Sequence, residues 1–414
     1  MRCSYLLIVK LVRIGIDCRT ISNLDPEQEG VGRYTYELIK NLLKFDKKDK
    51  YILFFDRKLK DNLKNEFQKD NVEAREIPFY KYDKFVPGIY SRLLISAVIN
   101  KAKVDVMHFP LSANFPITYK KLSIVTVHDL AIFKNPQWFS KRQTLSVKVS
   151  TPKALKLSQR VIVFSDSVKE EIKNIFKTPE EKIEVIPKGF EYIPFSFSRS
   201  EKEATLAKLE IRKPYILFFG TIDFRKNIEK LLEAFNFILK DKRLKNYKLV
   251  ISGRPGRNYK LLLSQIKKLE IPDKVKFTGR VSNKEKEVLY EEAEVFACPS
   301  LYEGFCMPII EALASSTPIV VSKIRPITDL VGEDSAILVN PEDENDIAQG
   351  IKMLLLDKDL QKRLACHGKK KVKRFNWDES ARRTLRLYKK AARERAKKER
   401  EKRKKMKRRR KRKK

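Results

Sequence analysis

Short runs of β-branched and aromatic residues alternate with amphipathic helical stretches along most of this chain. That alternation restricts the fold more than any other feature. Parallel strands need long crossovers, and helices that cover the sheet faces supply them. In the first half the strand-like runs are 12–18 (VRIGIDC), 51–55 (YILFF), 104–109 (VDVMHF), 122–129 (LSIVTVHD) and 160–165 (RVIVFS), followed by IEVIPKGF. The pattern stops between 190 and 212, a stretch with Pro194, serines and charges and no periodic apolar face until its end. It then restarts with YILFFG, YKLVISG, VKFTGR, VFACPS, PIVVS and AILVN, separated by helical runs such as NIEKLLEAFNFILK. The expected fold class is therefore α/β, with two Rossmann-like domains at 1–195 and 210–370, a helix at 371–390 and a basic tail at 391–414. A ligand is expected in the cleft between the two sheets, at the carboxyl ends of their strands.

A chain of 414 residues with 42% hydrophobic content can bury two cores. No apolar run approaches the roughly 20 residues of a membrane span. The five cysteines are scattered without a CxxC pair, and the three histidines have no metal-binding spacing. The sequence thus predicts a reducing, cytoplasmic setting and no protein-ligated metal or other cofactor. The net charge is +38, of which the last 26 residues, with 19 Lys/Arg and 3 Glu, contribute +16. Such a surface attracts polyanions. The tail reads equally as a solvated extension with no partner.

Four stretches carry candidate chemistry. In EGVGRYTYEL, Gly30 and Gly32 lead into a helix, where bare backbone and the helix dipole can approach an anion or form a plain turn. In GTIDFRKNIEKLLEAF, Arg225 and Lys226 stand just before or at the first turn of a helix beginning near Asn227, where two cations oppose the dipole unless an anion is present. VTVHDLA places His128 and Asp129 at a strand end, where histidine can donate to a hydroxyl or shuttle a proton. His108, one strand earlier, reads rather as a structural histidine. In SLYEGFCMPIIEALASS, Glu303 falls in a loop, Gly304 frees the turn, Pro308 suits helix position N1, and Glu311 falls on the first helical turn. The two carboxylates suit two hydroxyl-bearing parts of one ligand. The amides of Gly304, Phe305, Cys306 and Met307 face the same place.

Glu303, seven intervening residues and Glu311 resemble the EX7E element of retaining GT-B glycosyltransferases of family 4. The phosphate-segment likeness of GTIDFRKN, the amino-terminal motifs and the closing helix RFNWDESARRTLRLY agree with it over about 12–388; residues 1–11 lie outside. The mannosyltransferases of bacterial polysaccharide assembly are the most similar branch. The resemblance implies two domains facing across a cleft, with the closing helix crossing back onto the first domain. A nucleotide sugar, GDP-mannose by preference, would sit on the carboxy-terminal domain. Glu311 would bind the ribose, and Glu303 with the amides from Gly304 to Met307 the transferred sugar. Arg225 and Lys226, helped by Gly32, would neutralise the diphosphate in place of a metal, His128 would contact the sugar, and Val281 would approach the base. Thr221 stands where some members carry arginine. The acceptor would be a glycan or a lipid-linked sugar, and the tail could hold the protein at the anionic inner face of the cell membrane. A UDP-hexose or dTDP-rhamnose donor is the alternative. A nucleic-acid-binding role for the tail is the distant one, because aromatics do not interleave with its cations.

Overall fold

The computed structural model describes residues 11–21, 30–56, 58–59, 61–77, 88–116, 118–192 and 195–411. Two parallel sheets organise it. The first contains β1 (Arg13–Asp17), β2 (Lys50–Phe55), β3 (Val72–Glu76), β4 (Val106–Phe109), β5 (Ser123–Thr126), β6 (Arg160–Val163) and β7 (Ile183–Val185), in the order β3-β2-β1-β4-β5-β6-β7. The second contains β8 (Tyr215–Phe219), β9 (Lys248–Ser252), β10 (Val275–Gly279), β11 (Val295–Cys298), β12 (Ile319–Ser322) and β13 (Ile337–Val339), in the order β10-β9-β8-β11-β12-β13. Each sheet reverses its strand order beside its first strand, so each opens a crevice at the carboxyl ends there.

The pentapeptide Tyr-Ile-Leu-Phe-Phe occurs in both β2 and β8, next to the first strand of one sheet and as the first strand of the other. Its side chains divide with period two. Tyr51, Leu53 and Phe55 enter one core layer, and Ile52 and Phe54 the opposite one. Tyr215, Leu217 and Phe219 are likewise separated from Ile216 and Phe218. A strand covered on both faces has no polar side to present, which is why these runs are continuously apolar.

The stretch 190–212 is not wholly irregular. Arg199–Lys208 forms a helix with a capping box between Ser198 and Glu201, and its Leu206 packs into the second domain's core. The Ser-x-x-Glu spacing was a readable start signal, but one buried apolar residue in the helix leaves no periodic face to detect.

The final helix runs from Trp377 to Lys411 and returns to the first domain. Trp377, Ala381, Leu387, Tyr388 and Ala391 join that domain's core. Polar contacts fix its register. Tyr388 Oη lies 2.6 Å from His108 Nδ1, Arg383 donates to the Val185 carbonyl at 2.7 Å, Lys389 pairs with Asp49 at 2.9 Å and Arg160 with Glu394 at 2.6 Å. The basic extension continues this helix and is exposed from Ala396 to Met406. Among the described residues, no helix is long and apolar enough to cross a membrane.

Candidate active site

The carboxyl ends of β8 and β9 meet closely. Gly220 and Gly253 adopt φ of 148° and 139°, and a Cβ on Gly253 would overlap the Gly220 carbonyl. Only glycine permits this approach. Thr221 follows Gly220 directly, and Val281 follows the β10 end, half-buried against the second domain's core. Beyond Thr221 the chain makes a short 3-10 turn, Phe224–Lys226, and Asn227 takes a left-handed conformation at φ 57° before the helix Ile228–Leu239. Asn227 donates to the carbonyls of Pro299, at 3.0 Å, and Pro341, so this turn is tied to the loop that carries Glu303. The Leu301 amide donates to the Arg225 carbonyl at 2.8 Å and completes the tie.

Arg225 and Lys226 thus stand just before the helix, the first of the two expected placements, and their charges are already answered within the protein. Lys226 and Glu303 form a direct ion pair, each only 4% exposed. Arg225 lies 3.5 Å from Asp223, 3.7 Å from Glu303 and 4.0 Å from Asp129. Burial would push the Glu303 carboxyl up, but the Lys226 ammonium and the Arg225 guanidinium outweigh it and hold the pKa below the usual glutamate value. Burial pulls Lys226 down, and Glu303 more than reverses that. The conflict expected between two cations and a helix dipole is resolved by carboxylates. An arriving anion would share these cations with Glu303, freeing that carboxylate to accept from hydroxyls.

Gly304 differs from expectation. It is not among the positive-φ residues; instead a Cβ would overlap the His128 carbonyl oxygen and come 2.7 Å from Asp129 Cβ. Its smallness lets the Glu303 loop lie against the end of β5 in the other domain. Among the described residues, the amides of Gly304, Phe305, Cys306 and Met307 have no protein acceptor. The helix here is Met307–Ala314, with Pro308 its second residue and Glu311 its fifth. Glu311 is therefore beyond the first turn, and it is held by Lys286 at 2.7 Å and by the Tyr290 hydroxyl at 3.1 Å.

His128 Nε2 lies 2.8 Å from the Pro110 carbonyl, which only an N–H can satisfy, so Nδ1 carries the lone pair. Burial and then the nearby Lys188 charge push its pKa well below the ordinary value. That direction favours the neutral imidazole, which packs edge-on against Tyr34 and Phe164. His108 is structural, held between Thr126 and Tyr388, with a pKa lowered by burial to about 3. Gly32 is buried in the first turn of the helix Val31–Phe45, two residues before Tyr34. The loop preceding Gly30 lies outside the described residues.

The structure gathers His128, Arg225, Lys226 and Glu303 into one cluster between the sheets. It leaves Glu311 on a separate Lys286–Tyr290 arrangement at the other end of the same loop and helix. Cys298 and Cys306, with sulfurs 3.9 Å apart, and Glu303 bring three potential metal ligands within 4.8 Å of one another. A cation there would have to displace Lys226 beside a second cation, Arg225, so the donor set does not fit a metal ion. Beside the cluster, a crevice of about 880 Å³ opens between Asn135 and Trp138 of one domain and Leu301, Lys323 and Asn340 of the other.

Two site residues, Tyr302 and Lys188, escaped sequence reasoning, as did the ring of Phe305, which was expected only for its amide. Tyr302 accepts from the Leu130 amide at 3.0 Å and donates to Glu171 at 2.7 Å, bridging the domains. Phe305 turns toward Phe164 at 6.0 Å. Lys188 reaches the same cluster from the segment after β7, with Nζ 4.6 Å from the Phe164 ring. Tyr302 and Phe305 stood inside a motif already of interest; nothing local marks Lys188 in a chain with 91 Lys and Arg.

Comparison with known proteins bears on the family and the fold. Residues 29–192 match the family described as Glycosyltransferase Family 4, and residues 201–371 that described as Glycosyl transferases group 1. The chain is 27% identical to the O-antigen chain mannosyltransferase B of Escherichia coli over 87% of its own length and 96% of the relative's. It is 33% identical to the O-antigen chain mannosyltransferase RfbU of Salmonella typhimurium over 55% of this chain and 59% of that one. Among solved structures, sucrose-phosphate synthase from Thermosynechococcus elongatus aligns with a TM-score of 0.69 at 22% identity, covering 92% and 98% of the two chains. Anabaena HepE in complex with UDP and glucose aligns with a TM-score of 0.70 at 16% identity, covering 91% and 99%. These likenesses show a GT-B fold.

Proposed function

For a chain that belongs to the family 4 glycosyltransferases, we propose retaining transfer of mannose from GDP-mannose to a glycan or lipid-linked acceptor in polysaccharide synthesis. The observation that carries this reading is the buried Glu303–Lys226 pair with Arg225 beside it, at the strand ends of a chain whose relatives are named mannosyltransferases. Arg225 and Lys226 take the charge of the departing diphosphate, the role a divalent ion plays elsewhere, and fixed cations in a dry site are effective there. Glu303 and the free amides of Gly304 to Met307 hold the sugar hydroxyls, Glu311 the ribose, and Thr221 and Val281 line the nucleotide. Gly32 at its helix start adds a backbone donor to the phosphate.

In this scheme the bond from sugar C1 to the β-phosphate oxygen breaks. The acceptor oxygen bonds to C1 from the same face, and its proton passes to the departing phosphate. His128, neutral in the free protein, contacts the sugar rather than carrying that proton. The exposed basic helix beyond Arg395 rests on an anionic membrane surface, where each Lys or Arg contributes on the order of 1 kcal/mol. A panel of GDP-, UDP- and dTDP-sugars, read by thermal stabilisation and by transfer with EDTA present, tests the reading. GDP-mannose is expected to stabilise and react without added metal. A response confined to another donor, or a strict divalent requirement, contradicts it.

A further inference from the structure

Among the described residues, Lys188 is a cation with no hydrogen-bond acceptor. It lies three residues beyond the end of β7, on the segment that leaves the first domain. Its ammonium sits 4.6 Å from the Phe164 ring centroid and 5.9 Å from each of the Tyr34 and Phe305 rings. Tyr34 belongs to the first turn of the helix that carries Gly32, Phe164 follows β6, and Phe305 is two residues past Glu303. The cage therefore draws on both domains. Aromatic faces attract a cation but take none of the three N–H bonds an ammonium can donate. Among the described residues, no carbonyl or carboxylate accepts from Lys188 Nζ, whose recorded contacts are with rings.

The neighbouring cations are committed, Lys226 to Glu303 and Arg225 to Asp223, Glu303 and Asp129. Lys188 is the one uncommitted positive charge of the described cluster, between the Gly32 helix start and the Glu303 loop. An oxyanion entering there would meet three unused donors. We propose that Lys188 is a third cation for the donor's diphosphate, delivered from the interdomain segment. This rests on the reading of the crevice as a nucleoside diphosphate-sugar site.

A proton signature follows. Burial lowers the Lys188 pKa to about 8, with Asp129 and Glu303 opposing the fall and Arg225 adding to it. The titratable and charged groups facing it are Asp129 and His128 after β5, Arg225 in its turn, Glu303 and Cys306 in the loop, and the Tyr34 phenol. Above pH 8 the free lysine is largely neutral; a bound diphosphate raises its pKa, so binding takes up a proton.

The test uses the full chain, GDP, UDP, dTDP and GMP as probes, and calorimetry at pH 6.5 and 8.5 in buffers of different ionisation enthalpy. Lys188→Met keeps the stem against the rings, and Lys188→Arg keeps the charge. At pH 6.5 Lys188→Met is expected to weaken the diphosphate about tenfold or more, the scale of one lost charge-assisted hydrogen bond. GMP should lose less, and Lys188→Arg should recover most of the affinity. At pH 8.5 the wild type should take up a fraction of a proton that neither variant takes up. Unchanged diphosphate affinity in Lys188→Met overturns the proposal, and so does an effect confined to acceptor KM. Equal losses for GDP and GMP without rescue by arginine show a packing role and overturn it too. A wild type that binds none of GDP, UDP and dTDP overturns the donor-site reading itself, and with it the role assigned to Lys188.

Discussion

Replacing Lys226 by methionine tests whether the buried ion pair organises the site. The substitution keeps most of the side-chain volume and removes the charge, so Glu303, 4% exposed, loses its nearest partner. Leaving one member of a buried pair alone costs about 3–5 kcal/mol. Arg225 remains 3.7 Å from Glu303, worth roughly 4 kcal/mol of gross attraction at an effective dielectric near 20, which places the expected loss at the lower end, about 3 kcal/mol. The double variant Lys226→Met/Glu303→Gln removes both charges and should return to within about 1 kcal/mol of the wild type. The assay is urea unfolding followed by circular dichroism. The pH dependence adds a sign. Because the folded Glu303 pKa lies below its ordinary 4.5, its contribution is present above that pH and lost as pH falls through the folded value. That acid-side loss should be absent from the double variant. Transfer should be lost in both variants, since the leaving group has lost a cation in each. A Lys226→Met protein as stable as the wild type, or a double variant less stable than the single, refutes the reasoning.

Gly304→Ala forces its Cβ into the His128 carbonyl, so the two domains should separate locally and transfer should fall at least tenfold, with little change in nucleotide affinity; titration and steady-state kinetics separate the two. His108 stays neutral down to about pH 3 in the folded chain, whereas an unfolded histidine protonates near 6.5. Stability should therefore decline as pH falls between those values, and His108→Gln should flatten that decline in thermal unfolding. Removing 396–414, which leaves Lys389, Ala391 and Glu394 in their contacts, should preserve the fold and weaken sedimentation with anionic vesicles, most clearly at low salt. Unchanged vesicle binding excludes the tail as a membrane contact.

The architecture was legible because buried parallel strands and their covering helices impose long, regular patterns. The tight corner at Gly220 and Gly253 and the loop at Gly304 were visible as glycines, but not the reason for them. Gly304 is small because a carbonyl 176 positions earlier in the chain presses on it, and sequence spacing does not encode such a contact. The same holds for Lys226, whose partner Glu303 lies 77 residues away. A helix start argued for an external anion, while the fold had supplied a carboxylate. Glu311 falls one residue outside the first turn because the helix begins at Met307 rather than at the proline. Lys188 could not be found by pattern at all, since its meaning comes from three rings contributed by three separate segments.

The most direct measurement is transfer of radiolabelled mannose from GDP-mannose, in EDTA, by the wild type and by Glu303→Gln, with the anomeric configuration of the product read by NMR. The account predicts an α-mannosyl product from the wild type without metal and none from the variant. A β-linked product, a metal requirement or near-normal turnover by Glu303→Gln contradicts it.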